Sequence, residues 1–187
     1  MEQMTRLEEL RLEHVKLQKD YAKFLLNKLS LLDPDVMVAG GAPRDWDDNK
    51  PAKDLDIYIQ GIKGESTWSL AYRVNRILIE LDIQMRRNED PNYVDYTNKN
   101  GVAAVYNLSN VAVPTQLIIC DMYQHEMINL FDCSLSMLWM SDSGFIHKKP
   151  EYTVSRKYKT YFLKTTADNE YKERIRSKFP DYKEVLV

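Results

Sequence analysis

Two short stretches carry side chains whose types and spacing suit chemistry. They are Val38-Ala39-Gly40-Gly41-Ala42-Pro43-Arg44-Asp45 and Lys53-Asp54-Leu55-Asp56-Ile57-Tyr58. Residues 36–39 read as a short apolar strand, and 42–46 as a first helical turn, where proline is tolerated because the missing N–H would be unpaired anyway. A glycine pair between strand and helix lets a ligand approach the backbone with no side chain in the way. The amides of the following turn then favour an anion such as phosphate. Asp54 and Asp56 lie two apart on a strand, so they share a face while Leu55, Ile57 and Ile59 line the other. Two carboxylates ~7 Å apart at the backbone repel each other unless a cation lies between them. Mg²⁺ suits that place, because it takes a few carboxylates and completes its shell with phosphate oxygens. Either element alone is a weak signal, since tight turns and solvated strand ends use the same residues.

Both elements occur in order, with 12 residues between Gly41 and Asp54. A phosphate cradle and a metal-binding pair in one strand–helix–strand unit are what nucleotidyl transfer requires. Here the sequence resembles the polymerase-β-like nucleotidyltransferase superfamily. Gly-Gly-x-x-Arg-Asp followed by Lys-Asp-x-Asp is similar to the head domain of bacterial poly(A) polymerases and CCA-adding enzymes, over residues 36–59. The compact size and Met-, Tyr- and Asn-rich composition are also similar to phage-encoded, stand-alone members.

The resemblance implies roles. Gly40 and Gly41 would hold the triphosphate of the incoming nucleotide, ATP or a relative. Arg44 would counter phosphate charge or anchor Asp45. Asp54 and Asp56 would bind two Mg²⁺ ions for in-line displacement of pyrophosphate by a hydroxyl. Many members add a third carboxylate from a later strand, in an apolar–acid–apolar setting. Cys120-Asp121-Met122 and Phe131-Asp132-Cys133 both fit, and Asp121 is preferred because its segment reads better as a strand. Gln116 is a further position that could face the site, without charge. The implied activity is Mg²⁺-dependent transfer of a nucleoside monophosphate to a hydroxyl of RNA, protein or a small molecule. The large helical regions that follow the head in those enzymes have no counterpart of their size here, so CCA addition itself is not expected. The alternative is a catalytically silent protein of the same fold that binds RNA or a protein partner.

The elements that must position these residues follow from periodicity. Residues 3–32 read as one helix, with Met4, Leu7, Leu10, Leu17, Tyr21 and Phe24 as an apolar stripe interrupted by His14 and Lys28. A core-facing stripe is expected rather than a coiled-coil seam, and Asp33-Pro34-Asp35 stops the helix. Residues 66–83 read as a helix, and 86–100 as a polar connection. Residues 102–108 and 114–123 read as strands of a hairpin. Residues 126–140 favour a helix, 144–146 a short strand or turn, and 169–179 a final helix. The expected fold is α+β, a small mixed sheet with helices packed on it. The nucleotidyltransferase-like domain is expected over 1–147, with 148–187 a basic extension packed on it.

Composition bounds the rest. The chain has 187 residues, 44% hydrophobic and 29% charged, with a net charge of -2. That is the balance of a globular domain able to bury a sizeable core without disulfides. The longest apolar runs fall far short of the ~20 residues that cross a bilayer, so no membrane partner is expected. The acidic start is wrong for a secretory signal, and a reducing cytoplasm is the expected compartment. Cys120 and Cys133 lack metal or redox spacing, and His14, His125 and His147 are scattered. From Lys148 onward there are 11 basic and 6 acidic residues, against 15 and 22 before it. Such a tail could hold RNA, although a solvated helix face would show the same charges. Tyrosines 152, 158, 161 and 171 are interleaved with them, and packing of the tail is the expectation over base stacking.

Overall fold

Thr5 and Glu8 begin the fold with reciprocal hydrogen bonds: the Thr5 hydroxyl accepts from the Glu8 amide, and the Glu8 carboxylate accepts from the Thr5 amide. The cap opens α1 (Arg6–Leu29) in a computed structural model that describes residues 5–89 and 101–187. The buried face of α1 is Val15, Gln18, Ala22, Leu25, Leu26 and Leu29, which corrects the expected stripe. Leu7, Leu10, Leu17 and Phe24 are 77%, 54%, 61% and 44% exposed, and Met4 lies outside the described residues. Gln18 explains the difference. Its carbonyl accepts from Trp46 Nε1 (3.0 Å) and the Ala52 amide (2.7 Å), and its Nε2 donates to the Ala52 carbonyl (3.0 Å). A polar residue so satisfied belongs to a core face, yet it scores against that face in any hydrophobic count.

Asp33, just past the end of the helix, fastens it to the sheet. Its carboxylate accepts from the Asp35 amide and from the Gln60 amide, at 2.9 and 2.7 Å. The chain then forms β1 (Met37–Ala39), α2 (Gly41–Asp47), β2 (Leu55–Gln60), α3 (Thr67–Glu80), β3 (Gln84–Arg87), β4 (Val102–Ser109) and β5 (Thr115–Cys120). β3 occupies part of the segment expected to be a connection. Its Gln84, Arg86 and Arg87 are exposed, so it lacks the alternation of a half-buried strand and is an edge strand guarded by charge. Residues 90–100 of that segment lie outside the described residues.

The stretch expected as a helix over 126–140 is corrected to three elements: α4 (Gln124–Leu130), a 3₁₀ turn (Ser134–Ser136) and β6 (Leu138–Met140). Tertiary pairing overrides the helical spacing, because Val38 and Ala39 take Met140 and Trp139 as ladder partners. β7 (Ile146–Lys148) returns beside β6. The seven strands run in the order β3-β4-β5-β2-β1-β6-β7, with β2–β5 parallel and the other neighbours antiparallel.

Alternation gives the sheet two faces. Val38, Leu55, Ile57, Ile59, Leu117 and Ile119 form the main core with α1 and with Leu70, Val74 and Leu78 of α3. Each such large side chain contributes roughly 1.5–3 kcal/mol by burial. On the other face Met37, Tyr58, Val105 and Ile118 are met by Met127 and Ile128 of α4.

The tail forms α5 (Pro150–Tyr158), β8 (Thr160–Leu163), α6 (Asn169–Lys178) and β9 (Lys183–Leu186). β8 and β9 pair in parallel, with α6 in the crossover between them. Tyr161, Leu163, Ile175 and Phe179 cluster with Cys133 and Leu135 from before the tail. Tyr152 and Tyr161 are both 1% exposed, so these two rings are packing residues. Among the described residues no helix is long and apolar enough to cross a membrane.

Candidate active site

Gly40 caps α2 at φ +80°, ψ -118°, a conformation that side chains rarely adopt. Its amide donates to the Leu138 carbonyl at 3.3 Å, which ties the loop to β6. The first amides of α2 receive no side-chain cap. A methyl group on Gly41 would lie 3.7 Å from Arg44 Nη2, so the guanidinium borders the glycine turn.

Arg44 and Asp45 are both buried. Arg44 Nε donates to Asp45 Oδ1 at 3.3 Å, and Arg44 Nη1 to Ser136 Oγ at 3.4 Å. Lys178 of α6 donates to both Asp45 oxygens, at 2.6 and 2.8 Å. Asp45 therefore holds Arg44 and the tail helix together.

Asp54 is exposed just before β2, and Asp56 is half-buried between Leu55 and Ile57. Burial pushes the Asp56 carboxyl up to about 7, the charge of Asp54 pushes the same way, and Arg174 of α6 opposes both. Two neighbouring carboxylates, one of them raised by burial and by the charge of the other, fit a hard divalent cation. Among the described residues there is no group of three or more His, Cys, Asp or Glu that could hold a metal, so substrate oxygens would have to complete such a shell.

The ladder registers define what surrounds Asp56. Asp56 lies opposite Gln116, Gln116 opposite Asn107, and Asn107 opposite Arg86. In the other direction Val38 pairs with Ile57, so Ala39 comes next to Asp56. Ala39 pairs with Trp139, and Trp139 with His147. The row Arg86–Asn107–Gln116–Asp56–Ala39–Trp139–His147 thus crosses one face of all seven strands. The neighbouring row, Val105–Ile118–Tyr58–Met37, lies in the cluster roofed by α4.

The sheet does not bring Asp121 to this row. Gln60 pairs with Cys120, so Asp121 lies past the far end of β5, five residues from Gln116 and ~16 Å along the strand. Its amide donates to the Gly101 carbonyl. Asp132 follows Phe131, whose ring lies 3.9 Å from where a Gly40 side chain would begin. Burial raises the Asp132 carboxyl, with Lys164 opposing. The position level with Asp56 on the neighbouring strand belongs to Gln116, whose Nε2 donates to Asn107 Oδ1 at 3.1 Å.

Residue spacing carries no sign of Arg174, Lys178 or Trp139 as neighbours of the site. Abundant basic residues in the tail are the one signal for Arg174 and Lys178, and several of these turn inward. Lys148 binds Asp47 at 2.6 Å, Arg156 binds Asp48, and the Tyr152 hydroxyl donates to Asp47 at 2.6 Å.

No protein-family model matches the chain, and no curated protein matches it. Solved structures do. A structure described as "tRNA-processing enzyme complex 3" aligns with TM-score 0.57 and 13% identity, over 86% of this chain and 43% of its own. A CCA-adding enzyme in its apo form I aligns at 0.56 and 12%, over 91% and 40%. A CCA-adding enzyme with ATP aligns at 0.54 and 16%, over 86% and 37%. The chain spans less than half the length of each. The likeness is one of fold: the chain shares the fold of the aligned part of these enzymes.

Proposed function

We propose that the chain is a Mg²⁺-dependent nucleotidyltransferase that moves a nucleoside monophosphate from a nucleoside triphosphate to a hydroxyl, releasing pyrophosphate. One observation carries the reading: antiparallel β1 and β2 put the Gly40–Gly41 turn and the Asp54–Asp56 pair at the same end of the sheet. Asp54 and Asp56 would hold the metal, which when bound would favour deprotonation of the acceptor and neutralise charge on the leaving pyrophosphate. The turn at Gly40 and Gly41 admits the triphosphate to the backbone. Arg44, fixed by Asp45 and Ser136, supplies positive charge at its edge, and Arg174 adds charge on the side of Asp56. Positioning and charge, rather than covalent chemistry, are what the chain contributes.

The described neighbours include CCA-adding enzymes with ATP and with tRNA, which supports ATP-class nucleotides and an RNA hydroxyl as the first substrates to try. Gln116, neutral where many members carry an acid, favours the second reading, a silent binding protein. Incubation with each labelled nucleoside triphosphate, Mg²⁺ and single-stranded RNA, with chelator controls, decides between them. Labelled RNA lengthened in a Mg²⁺-dependent manner supports the enzyme. Tight nucleotide binding without transfer to RNA, to the protein itself or to added small hydroxyl compounds supports the silent protein.

A further inference from the structure

Between α1 and the turn that joins β6 to β7 lies a cavity of about 370 Å³. It is on the opposite face of the sheet from Asp56, because Met140 in its floor pairs with Val38 and belongs to the core under α1. The α1 wall carries Lys16, Lys19 and Lys23, whose spacing of three and four residues puts them on one helix face. Ser143 and Gly144 of the turn and Asn49 of the α2–β2 connection complete the rim. The walls are fixed to one another. Asn27 Nδ2 donates to the Lys23 carbonyl at 2.8 Å and to the Asp142 carbonyl at 3.3 Å. A methyl group on Gly144 would lie 3.1 Å from Lys23 Cδ, so glycine there lets the lysine stem lie along the turn. The amides of Asn49 and Lys50 donate to the carbonyls of Trp46 and Asp45, which holds the third side.

We propose that this groove seats the phosphodiester backbone of a single nucleic-acid strand, away from the acidic pair. The inference does not rest on the nucleotidyltransferase reading. None of the three lysines makes an ion pair with a described residue, so their charges are uncommitted at the edge of a concavity. With Asp20 the lining carries three positive charges and one negative, a net of +2. Lysine ammonium groups act as point charges that suit phosphate oxygens without a fixed fork geometry. The backbones of Lys16 and Lys23 are ~10.5 Å apart along the helix axis, so the charges form a line and do not converge on one point. Asp20, within that line, repels a compact anion centred there, whereas a strand sets its phosphates on either side. Leu12, Val15 and Met140 give the groove apolar surface, which suits the edges of sugars. A solvated helix face would carry the same lysines, and the experiment must separate the two.

Fluorescence anisotropy of a labelled single-stranded oligoribonucleotide, read across a salt series in chelator, tests the groove. Changing Lys16, Lys19 and Lys23 together to Gln should lower affinity about tenfold or more at low salt. It should also make the salt dependence shallower by ~2 in slope, as for three lost single-strand phosphate contacts. Ser143→Glu, on the turn and not on α1, puts a negative charge into the groove and should lower affinity by a smaller factor. A control that changes Lys63, Arg76 and Lys183 to Gln removes three exposed cations elsewhere. It should alter affinity by no more than about threefold, as screened distant charges do. Thermal melts of all variants should match the parent. No binding by the parent, or equal losses in the groove and control variants, overturns the proposal and leaves the lysines a solvated helix face. Inorganic tripolyphosphate forms the second arm. If it binds as tightly as the strand and with the same lysine dependence, the groove belongs to free oligophosphates and the strand is rejected. If the strand binds there but the parent transfers no nucleotide, the catalytic reading falls and the groove stands.

Discussion

Asp56 and Gln116 face each other across the parallel β2–β5 pair, on the same side of the sheet. An amide thus stands beside the half-buried member of the acidic pair, where it can donate a hydrogen bond or accept one but adds no charge. Replacing Gln116 by Leu should slow transfer, while Asp121→Asn, past the far end of β5, should leave it within about twofold, the scale of an uninvolved surface change. Single-turnover rates with labelled nucleotide compare the two. A large loss in the Asp121 variant alone would reject the register argument.

Neutralising the acidic pair tests the metal assignment. Asp54→Asn or Asp56→Asn should reduce transfer at least ~100-fold, the scale for removing a key electrostatic group. The metal-free proteins should melt no lower than the parent, because one of two mutually repelling carboxylates is gone. Scanning calorimetry in chelator, beside the rate assay, checks both halves.

The two glycines should respond differently. Gly40→Ala forces a side chain into a left-handed conformation and should destabilise the fold by ~1–3 kcal/mol. Gly41→Val places new atoms next to Arg44 and in the approach to the turn, so its main effect should be weaker triphosphate binding. Denaturant melts and titration calorimetry with a non-hydrolysable triphosphate separate the outcomes.

Much of the candidate site was legible because its constraints are local. A glycine turn and an alternating acidic strand declare themselves within a few residues. The partners were not legible, since they depend on register. Nothing near Gln116 says that it will lie opposite Asp56 rather than a residue away, and Trp139 reads as part of a helix until β1 claims it. The helix of residues 6–29 is legible and its buried face is not, because two apolar faces run along it and Gln18 disguises the buried one. Long-range pairing decided each case.

Acid should weaken the seam between α2 and the tail. Burial alone would raise the Asp47 carboxyl, but hydrogen bonds from Lys148 and Tyr152 outweigh it and hold the group below its usual range. A depressed carboxyl stabilises the fold fully above its unfolded value, ~3.9, and that contribution disappears as pH falls through the folded value. Asp47→Asn should therefore lower stability by ~1–2 kcal/mol at pH 7. The gap to the parent should close in strong acid, as urea melts across the pH range will read.

Tail charges not committed to α2 are the ones to test for RNA affinity. Lys149, Lys157 and Lys159 make no ion pair among the described residues. Changing all three to Gln should weaken RNA binding and make the salt dependence shallower by up to ~2–3 in slope, as for lost phosphate contacts. Unchanged affinity and slope would free these lysines of any part in holding RNA.

The parallel β2–β5 pair carries a consequence for assembly. β2 and β5 are brought together by a crossover through α3, β3 and β4, so Asp56 meets Gln116 only after a long loop has closed. Pairing of that kind carries a large loop-closure entropy and is slow to form. The glycine turn and the acidic strand can find each other early through the short α2 connection, whereas Gln116 must arrive from the other side of that crossover. A half-folded chain would thus hold the phosphate turn and the two aspartates without their neutral neighbour, and the complete row is a property of the finished sheet alone.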